Sequence, residues 1–476
     1  MLFNSYVFIL AFLHITLIGY FLLGKIRARS VSKIWLVGCS LFFYAYFNPA
    51  YLPIIVLSVL VNFALSQLML RTEKKPLRVV LLLIGLAANL GVLGYYKYYD
   101  FFASSLNEAF GTSFTLLNLV LPLGISFFTF QQLSYVIDSY RKSVPSYRFL
   151  DYALFVTFFP QLIAGPIVLH SEIVPQFADE KSRKFDLENF GPGFYAFAMG
   201  LGKKVLIADT FAKVADIGFA PGATMNTPIA WLTALAYCLQ LYFDFSGYCD
   251  MAAGLGLMFN IRIPQNFHSP YQSLDIREFW QRWHMTLSRF FTTYVYFPLG
   301  GSRKGIVRTC LNLMVVFLVS GLWHGAGWLF SFWGFLHGAA SVLYRLFRKP
   351  YDRLHPALRW LMTFLFITIA WVFFRAPSWN VAINIVTHLF NMTFAPIDAS
   401  FFDAFALPMG LLPGYTHILA LVWYTAAIVA CLGMRNVYEK TMDFTPSVWR
   451  CVATVLVLVY SILSLSGVSV FLYFNF

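Results

Sequence analysis

Apolar stretches near the length of a bilayer crossing follow one another along this chain, and that pattern leaves few folds open. A helix needs about 20 apolar residues to span the hydrocarbon core. Candidate stretches are 2–24, 34–48, 51–70, 79–97, 117–137, 151–169, 192–208, 228–243, 245–260, 309–322, 326–346, 357–375, 415–433 and 451–472. Hydrophobic residues make up 59% of the 476 and charged residues only 12%. A soluble chain of this length has too little interior to hide so much apolar surface. The expected fold is therefore an all-α polytopic integral membrane protein. Several stretches are short or interrupted by Gly and Pro, so some re-enter rather than cross, and roughly eleven true crossings are expected. Leu2 to Leu23 is too long for a signal-peptide core. No basic region precedes it and no small-x-small site ends it, so it reads as a retained first span.

The net charge of +13 comes from Lys and Arg set mainly in short clusters between apolar runs. That is the distribution of cytoplasmic loops under the positive-inside rule. Lys25, Arg27, Arg29 and Lys33 mark one such loop, Arg71, Lys74, Lys75 and Arg78 a second, and Arg141, Lys142 and Arg148 a third. Two spans lie between each pair, so the three agree and put the N-terminus on the extracytoplasmic side. No basic face with interleaved aromatics points to nucleic acid, which is excluded as a partner in favour of the bilayer. The six cysteines are scattered, without a C-x-x-C pair or a metal-ligand spacing, so no metal site is expected. No internal repeat or long linker divides the chain. It reads as one membrane-embedded domain over 1–476, with core motifs in 120–340 and C-terminal helices in 357–472.

The segment 261–308 differs from its surroundings, mixing Arg262, Arg277, Arg282, Arg289 and Arg308 with Trp280, Trp283, Phe290 and Tyr294. It reads as amphipathic, at the interface or inside a membrane cavity. From Ser273 to Tyr294 the apolar residues recur at three- and four-residue steps, which predicts one helix. Asp275 and Glu278 have the spacing of a capping box. The other face carries Arg277, Gln281, His284 and Ser288, so His284 is either a site residue or a histidine facing water.

His324 lies in Gly321-Leu322-Trp323-His324-Gly325-Ala326-Gly327, within a long apolar stretch. An ionisable residue at membrane depth usually faces a protein interior or a wet cavity, and the glycines let backbone or a thin substrate come close. His324 is either functional or a neutral pin on a backbone carbonyl; His337 is a weaker case of the same kind. Pro298-Leu299-Gly300-Gly301 is a turn. The Arg303 and Lys304 that follow could hold the phosphates of a cytosolic donor or be an ordinary loop. Asp244, Ser246, Gln131 and Gln161 are polar groups in apolar context that either shape a cavity or bond helices together. The Pro- and Gly-broken stretch around Gln161 reads as re-entrant.

These stretches also resemble a known family. They include Gly124-Ile125-Ser126-Phe127-Phe128-Thr129-Phe130-Gln131, Phe159-Pro160-Gln161-Leu162-Ile163-Ala164-Gly165-Pro166 and Gly202-Lys203-Lys204-Val205. They also include Asp244-Phe245-Ser246-Gly247-Tyr248, Phe279-Trp280-Gln281-Arg282-Trp283-His284, Pro298-Leu299-Gly300-Gly301 and Leu322-Trp323-His324-Gly325-Ala326. In order and spacing the chain is similar to the membrane-bound O-acyltransferase (MBOAT) family, in its bacterial branch of alginate O-acetyltransferase-like proteins. The likeness runs from about residue 1 to 340, and the ending Phe471 to Phe476 shares it. Gln281 stands where the branch carries arginine, and Thr292-Thr293 where relatives often carry Arg-Asp.

The resemblance implies a bowl of helices, with re-entrant and interfacial helices around a tunnel through the membrane. It implies catalysis by His324 at the tunnel's waist with His284 beside it. Gln281, Arg282, Trp283, Trp323, Asp244, Ser246, Gln131 and Gln161 are then expected to line the tunnel, and Arg303 and Lys304 to meet the donor's phosphates. The implied activity is O-acetylation of a secreted exopolysaccharide, alginate or cellulose-like, in a bacterial inner membrane. The donor is a cytoplasmic thioester, acetyl-CoA by default, with no bound cofactor, and extracytoplasmic partner proteins are expected. The alternatives are relay or transport of acetyl to such a partner, or acylation of a lipid or teichoic acid.

Overall fold

Every regular element among the described residues is a helix, the structure that satisfies its own backbone in lipid. The computed structural model describes residues 1–26, 28, 30–406, 414–465 and 471–472. Arg27, Arg29 and residues 473–476 of the family-like ending lie outside the described residues. Among the described residues, six helices are long and apolar enough to cross a membrane, and two shorter ones, Ser30–Ala45 and Val448–Leu463, are also apolar. Internal contacts divide the chain into two compact units.

The first unit comprises Met1–Phe197 with Cys249–Gln265. Its helices include α1 (Val7–Gly24), α2 (Ser30–Ala45), α3 (Leu52–Arg71), α4 (Lys75–Leu93), α5 (Ile125–Tyr140) and α6 (Phe149–Thr157). The outward faces of α1, α3 and α4 stay apolar, with Leu10, Ile15, Leu57 and Leu83 all exposed, as lipid contact requires. Inside, polar residues join the helices. Asn62 on α3 donates to Asn89 Oδ1 on α4 at 3.2 Å and to Gln132 Oε1 on α5 at 3.0 Å. Tyr152 on α6 donates to the same Gln132 oxygen. Each such bond is worth about 0.6 kcal/mol within a bilayer, so the network selects a register more than it adds stability. Gln131, the neighbour expected at a tunnel, is buried in this unit. Gln161 is fully buried here too and donates to the Phe155 carbonyl at 2.8 Å; it sits in a short helix, Phe159–Leu162.

The second unit comprises Ala198–Tyr248 with Asn266–Phe476. Helices α7 (Leu187–Gly202) and α8 (Thr227–Met258) contribute residues to both units. Then come α9 (Ile276–Arg282), α10 (Met285–Phe291), α11 (Gly305–His324), α12 (Trp328–Asp352) and α13 (Pro356–Arg375). The last long pair is α14 (Thr416–Gly433) and α15 (Val448–Leu463). Helices α11 and α12 form an antiparallel hairpin whose contact is made of glycine. A Cβ at Gly321 would stand 2.3 Å from the Phe330 carbonyl oxygen, and one at Gly334 2.4 Å from that of Phe317. Small residues at such a seam let backbones approach, which is how helices gain packing energy in lipid.

The single helix expected over Ser273–Tyr294 is instead two. Asp275 caps α9 as its spacing suggested, accepting from the Glu278 backbone N–H at 2.8 Å, while Glu278 reaches back to Leu274 N. The helix then stops at Trp283, because the next backbone donors find partners outside it. Met285 N–H bonds the Asn266 carbonyl and Thr286 N–H the Asn266 side chain. His284 sits between with φ 43° and ψ 52°, the left-handed region that is uncommon for a residue bearing a Cβ.

Candidate active site

The left-handed turn at His284 and the end of α11 at His324 bring the two histidines together. Their ring centroids are 6.3 Å apart. His324 is the last residue of α11 and is 2% exposed; His284 is 0% exposed. Aromatic rings wall both: Trp323, Trp333 and Phe374 lie 4.8, 5.1 and 5.3 Å from His324, and Phe245 lies 4.9 Å from His284. His284 lies outside the candidate spans, and burial pushes its ring down to about 3, so it is neutral at physiological pH. Its Nδ1 is 3.2 Å from Asn266 Oδ1. His337, fully buried, accepts from the Trp280 indole N–H at 3.2 Å and ties α9 to α12.

This unit holds two cavities whose walls reach neighbours of His324, although neither histidine lines either one. One, of about 410 Å³, follows α11 from Thr309 through Phe317 to Ser320, one turn short of His324. Its other walls carry Trp280, Gln281 and Ser288, and three exposed arginines, Arg277, Arg345 and Arg348. Arg348 pairs with Asp352, whereas Arg277 and Arg345 form no salt bridge among the described residues. The second cavity, of about 820 Å³, opens at the start of α12. It is lined by Trp328, Phe330, Phe374 and Trp379 and by Lys204, Asp209, Asp216 and Arg375. From Phe330 to Ser341 along α12 is roughly 16 Å at the helical rise, so the cavities sit toward opposite ends of that helix. Phe374 both lines the larger cavity and packs on His324.

Of the residues expected along a tunnel, Gln281 lines the smaller cavity. Trp323 packs on both histidines, at 4.8 Å from His324 and 6.0 Å from His284. Arg282 is taken up by Glu278 at 2.8 Å and by the His268 carbonyl. Trp283 is fully buried between Phe279, Phe267 and Trp371. Asp244 is buried and bonds Lys204 Nζ at 2.6 Å and the Leu472 backbone N–H at 3.1 Å. Ser246 accepts from Lys203 at 3.5 Å. Gln131 and Gln161 belong to the first unit and line neither of these cavities.

Arg303 and Lys304 are exposed and absent from the smaller cavity, which takes Ser302 instead. The turn before them is the cause. Gly300 and Gly301 adopt φ 105° and 57° and Asn312 bonds the Gly301 carbonyl, so the chain leaves the cavity there. Two site residues had no local signal. Asn266 acts through a partner 18 positions away; Lys204 stood in a family-like stretch, but its partner Asp244 lies 40 positions on. Arg345 lies in an ordinary basic helix end.

The model of the membrane-bound O-acyltransferase family matches residues 125–378. The chain is 45% identical over 416 residues to a peptidoglycan O-acetyltransferase of Helicobacter pylori, covering 81% of this chain and 79% of that one. It is 38% identical over 454 residues to a probable alginate O-acetylase of Pseudomonas aeruginosa, covering 93% and 83%. A teichoic acid D-alanyltransferase of Bacillus subtilis is more distant, at 26% identity over 55% of this chain and 71% of its own length.

Proposed function

The chain belongs to the membrane-bound O-acyltransferase family, and from that membership we propose a transfer route through its second unit, by which it serves the O-acetylation of a polysaccharide. The observation that carries the route is the pair of buried histidines 6.3 Å apart, with Ser320, one turn before His324, in the wall of one cavity and Phe374, which packs on His324, in the wall of the other. The acetyl thioester, acetyl-CoA by default, enters the smaller cavity from the cytoplasm. Arg277 and Arg345 meet its phosphates, and the acyl arm lies along α11 toward Ser320. The basic end of α12 fits that side under the positive-inside rule. An acceptor hydroxyl approaches from the larger cavity. His324 takes its proton as the oxygen attacks the acetyl carbonyl; the O–C bond forms, the C–S bond breaks, and the proton passes to the departing thiolate. General-base catalysis of this kind is worth about 10²–10⁴ in rate. The setting is a bacterial inner membrane with the N-terminus outside.

One observation favours a relay as the second reading. His324 is 2% exposed behind Phe330 and Phe374. A thin hydroxyl-bearing side chain of an extracytoplasmic partner reaches such a site more easily than an interior sugar of a polymer. The experiment is reconstitution of the purified protein with radiolabelled acetyl-CoA. Label should reach an added polysaccharide directly, or under the relay only when the partner is present. Wild-type protein that never discharges the thioester with either acceptor refutes both.

A further inference from the structure

We propose that Asn266 is a positioning residue that fixes His284 as the tautomer with its proton on Nδ1, leaving Nε2 as a hydrogen-bond acceptor. The proposal rests on the reading of His284 as part of the active site.

The tautomer follows from a chain of donors. Thr286 N–H lies 3.2 Å from Asn266 Oδ1. A backbone N–H can only donate, so the side-chain atom facing it is the oxygen of the amide and not its NH₂. The Thr286 hydroxyl donates to the same oxygen at 2.9 Å. His284 Nδ1 is the third group on it, at 3.2 Å. A bare Nδ1 there would set its lone pair against that of the oxygen, so Nδ1 carries hydrogen. A neutral imidazole has one ring proton, and Nε2 is therefore an acceptor.

The backbone supports the same assignment. The Asn266 carbonyl takes Met285 N–H at 2.9 Å, so this one residue binds 284, 285 and 286 and holds the left-handed turn that aims Nδ1 at it. Both Asn266 and His284 are essentially without solvent exposure, so water does not compete for the bond. A left-handed residue bearing a Cβ is strained and persists where its surroundings over-determine it.

The consequence divides the roles of the pair. With a bare Nε2, His284 does not polarise an acetyl carbonyl, which needs a donor. It can accept a hydrogen bond. The centroid separation of 6.3 Å is too long for a direct N–H···N bond, which needs about 3 Å between nitrogens, but suits one bridging oxygen. A water between the rings can donate one hydrogen to each, whereas an acceptor hydroxyl, with its single hydrogen, can donate to His284 Nε2 or to His324 but not to both.

The test is nitrogen-15 NMR on histidine-labelled protein in lipid, with the His284 signals assigned by their loss in His284→Gln. The expected wild-type spectrum shows the protonated nitrogen at Nδ1; a proton at Nε2 overturns the proposal. Asn266→Leu, similar in size but without the acceptor, should populate the other tautomer. It should lower kcat at least tenfold while donor KM stays within about twofold, the pattern of a lost transition-state contact. Asn266→Asp keeps an oxygen acceptor and should keep the Nδ1 proton and more turnover than the Leu variant. An Asn266→Leu protein with unchanged tautomer or unchanged kcat overturns the positioning role. Normal acetylation by His284→Gln instead overturns the reading of His284 on which the proposal rests, and the wild-type spectrum keeps the two failures apart.

Discussion

Three buried histidines of the second unit differ in what their surroundings let them do. His337 accepts a hydrogen bond from Trp280 at Nδ1, so its proton is on Nε2, the reverse of His284. It pins two helices, and His337→Ala should lower thermal stability while retaining measurable turnover per folded molecule. His324 is flanked by glycine and packed among rings. His324→Gln should keep the fold and lose about 10²–10⁴ of the transfer rate, because glutamine keeps hydrogen bonds but cannot take a proton. Near-normal acetylation by this variant at equal expression would remove the base assignment.

At this scale the sequence was informative where a residue contradicts its setting. A histidine among apolar residues stands out, and so did His324; His284 was marked only by its place on a polar stripe and by the family resemblance. Asn266 did not, because a polar residue in a polar loop is unremarkable until the loop is seen against residue 286. The four–three–four stripe of Arg277, Gln281, His284 and Ser288 assumed one continuous helix, which the structure breaks at His284. Arg277, Gln281 and Ser288 line the smaller cavity. The left-handed turn rotates His284 away into the interior, and no periodicity encodes that turn.

Among elements, the α11–α12 hairpin carries the most constraint. Gly321 and Gly334 meet carbonyl oxygens of the facing helix, which cannot swing aside like a side chain. Gly321→Val or Gly334→Val should push the helices apart and displace His324 with them. Both should reduce the yield of folded protein and lower its melting temperature in detergent, whereas Gly338→Ala should be milder, since a Cβ there meets the flexible Met314 side chain at 2.8 Å. Equal stability for Gly321→Val and wild type would show that the seam is looser than drawn. The sequence marked Gly321 as a place of close approach without naming the partner and did not single out Gly334, since the partner is a helix packing and not a motif.

For the whole molecule, two predictions concern sidedness and donor entry. Under the proposed topology, with the N-terminus outside, Lys74→Cys should stay unlabelled by an impermeant thiol reagent in intact cells; labelling there would invert the topology. Replacing Arg277 and Arg345 together with alanine should raise donor KM about tenfold or more and leave kcat within about threefold, the signature of lost uniform binding. Arg303→Ala should do neither. If Arg303→Ala raised donor KM as much as the double change, the phosphate site would return to the turn where the sequence suggested it. The membrane class was plain from apolar content alone, whereas the choice of arginines depended on where two glycines turn the chain.

The ring wall around His324 also has an electrical meaning. An energised membrane drives each elementary charge with about 2.3 kcal/mol per 100 mV, so any continuous wet path between the cavities would leak ions. Trp323, Trp333 and Phe374 close around a histidine that is 2% exposed. On the proposed route the acetyl group that passes is uncharged, and the proton leaves with the thiol on the side the donor came from. Transfer is then electroneutral. Collapsing the membrane potential of proteoliposomes at constant acetyl-CoA should leave the acetylation rate unchanged, and small ions should not cross.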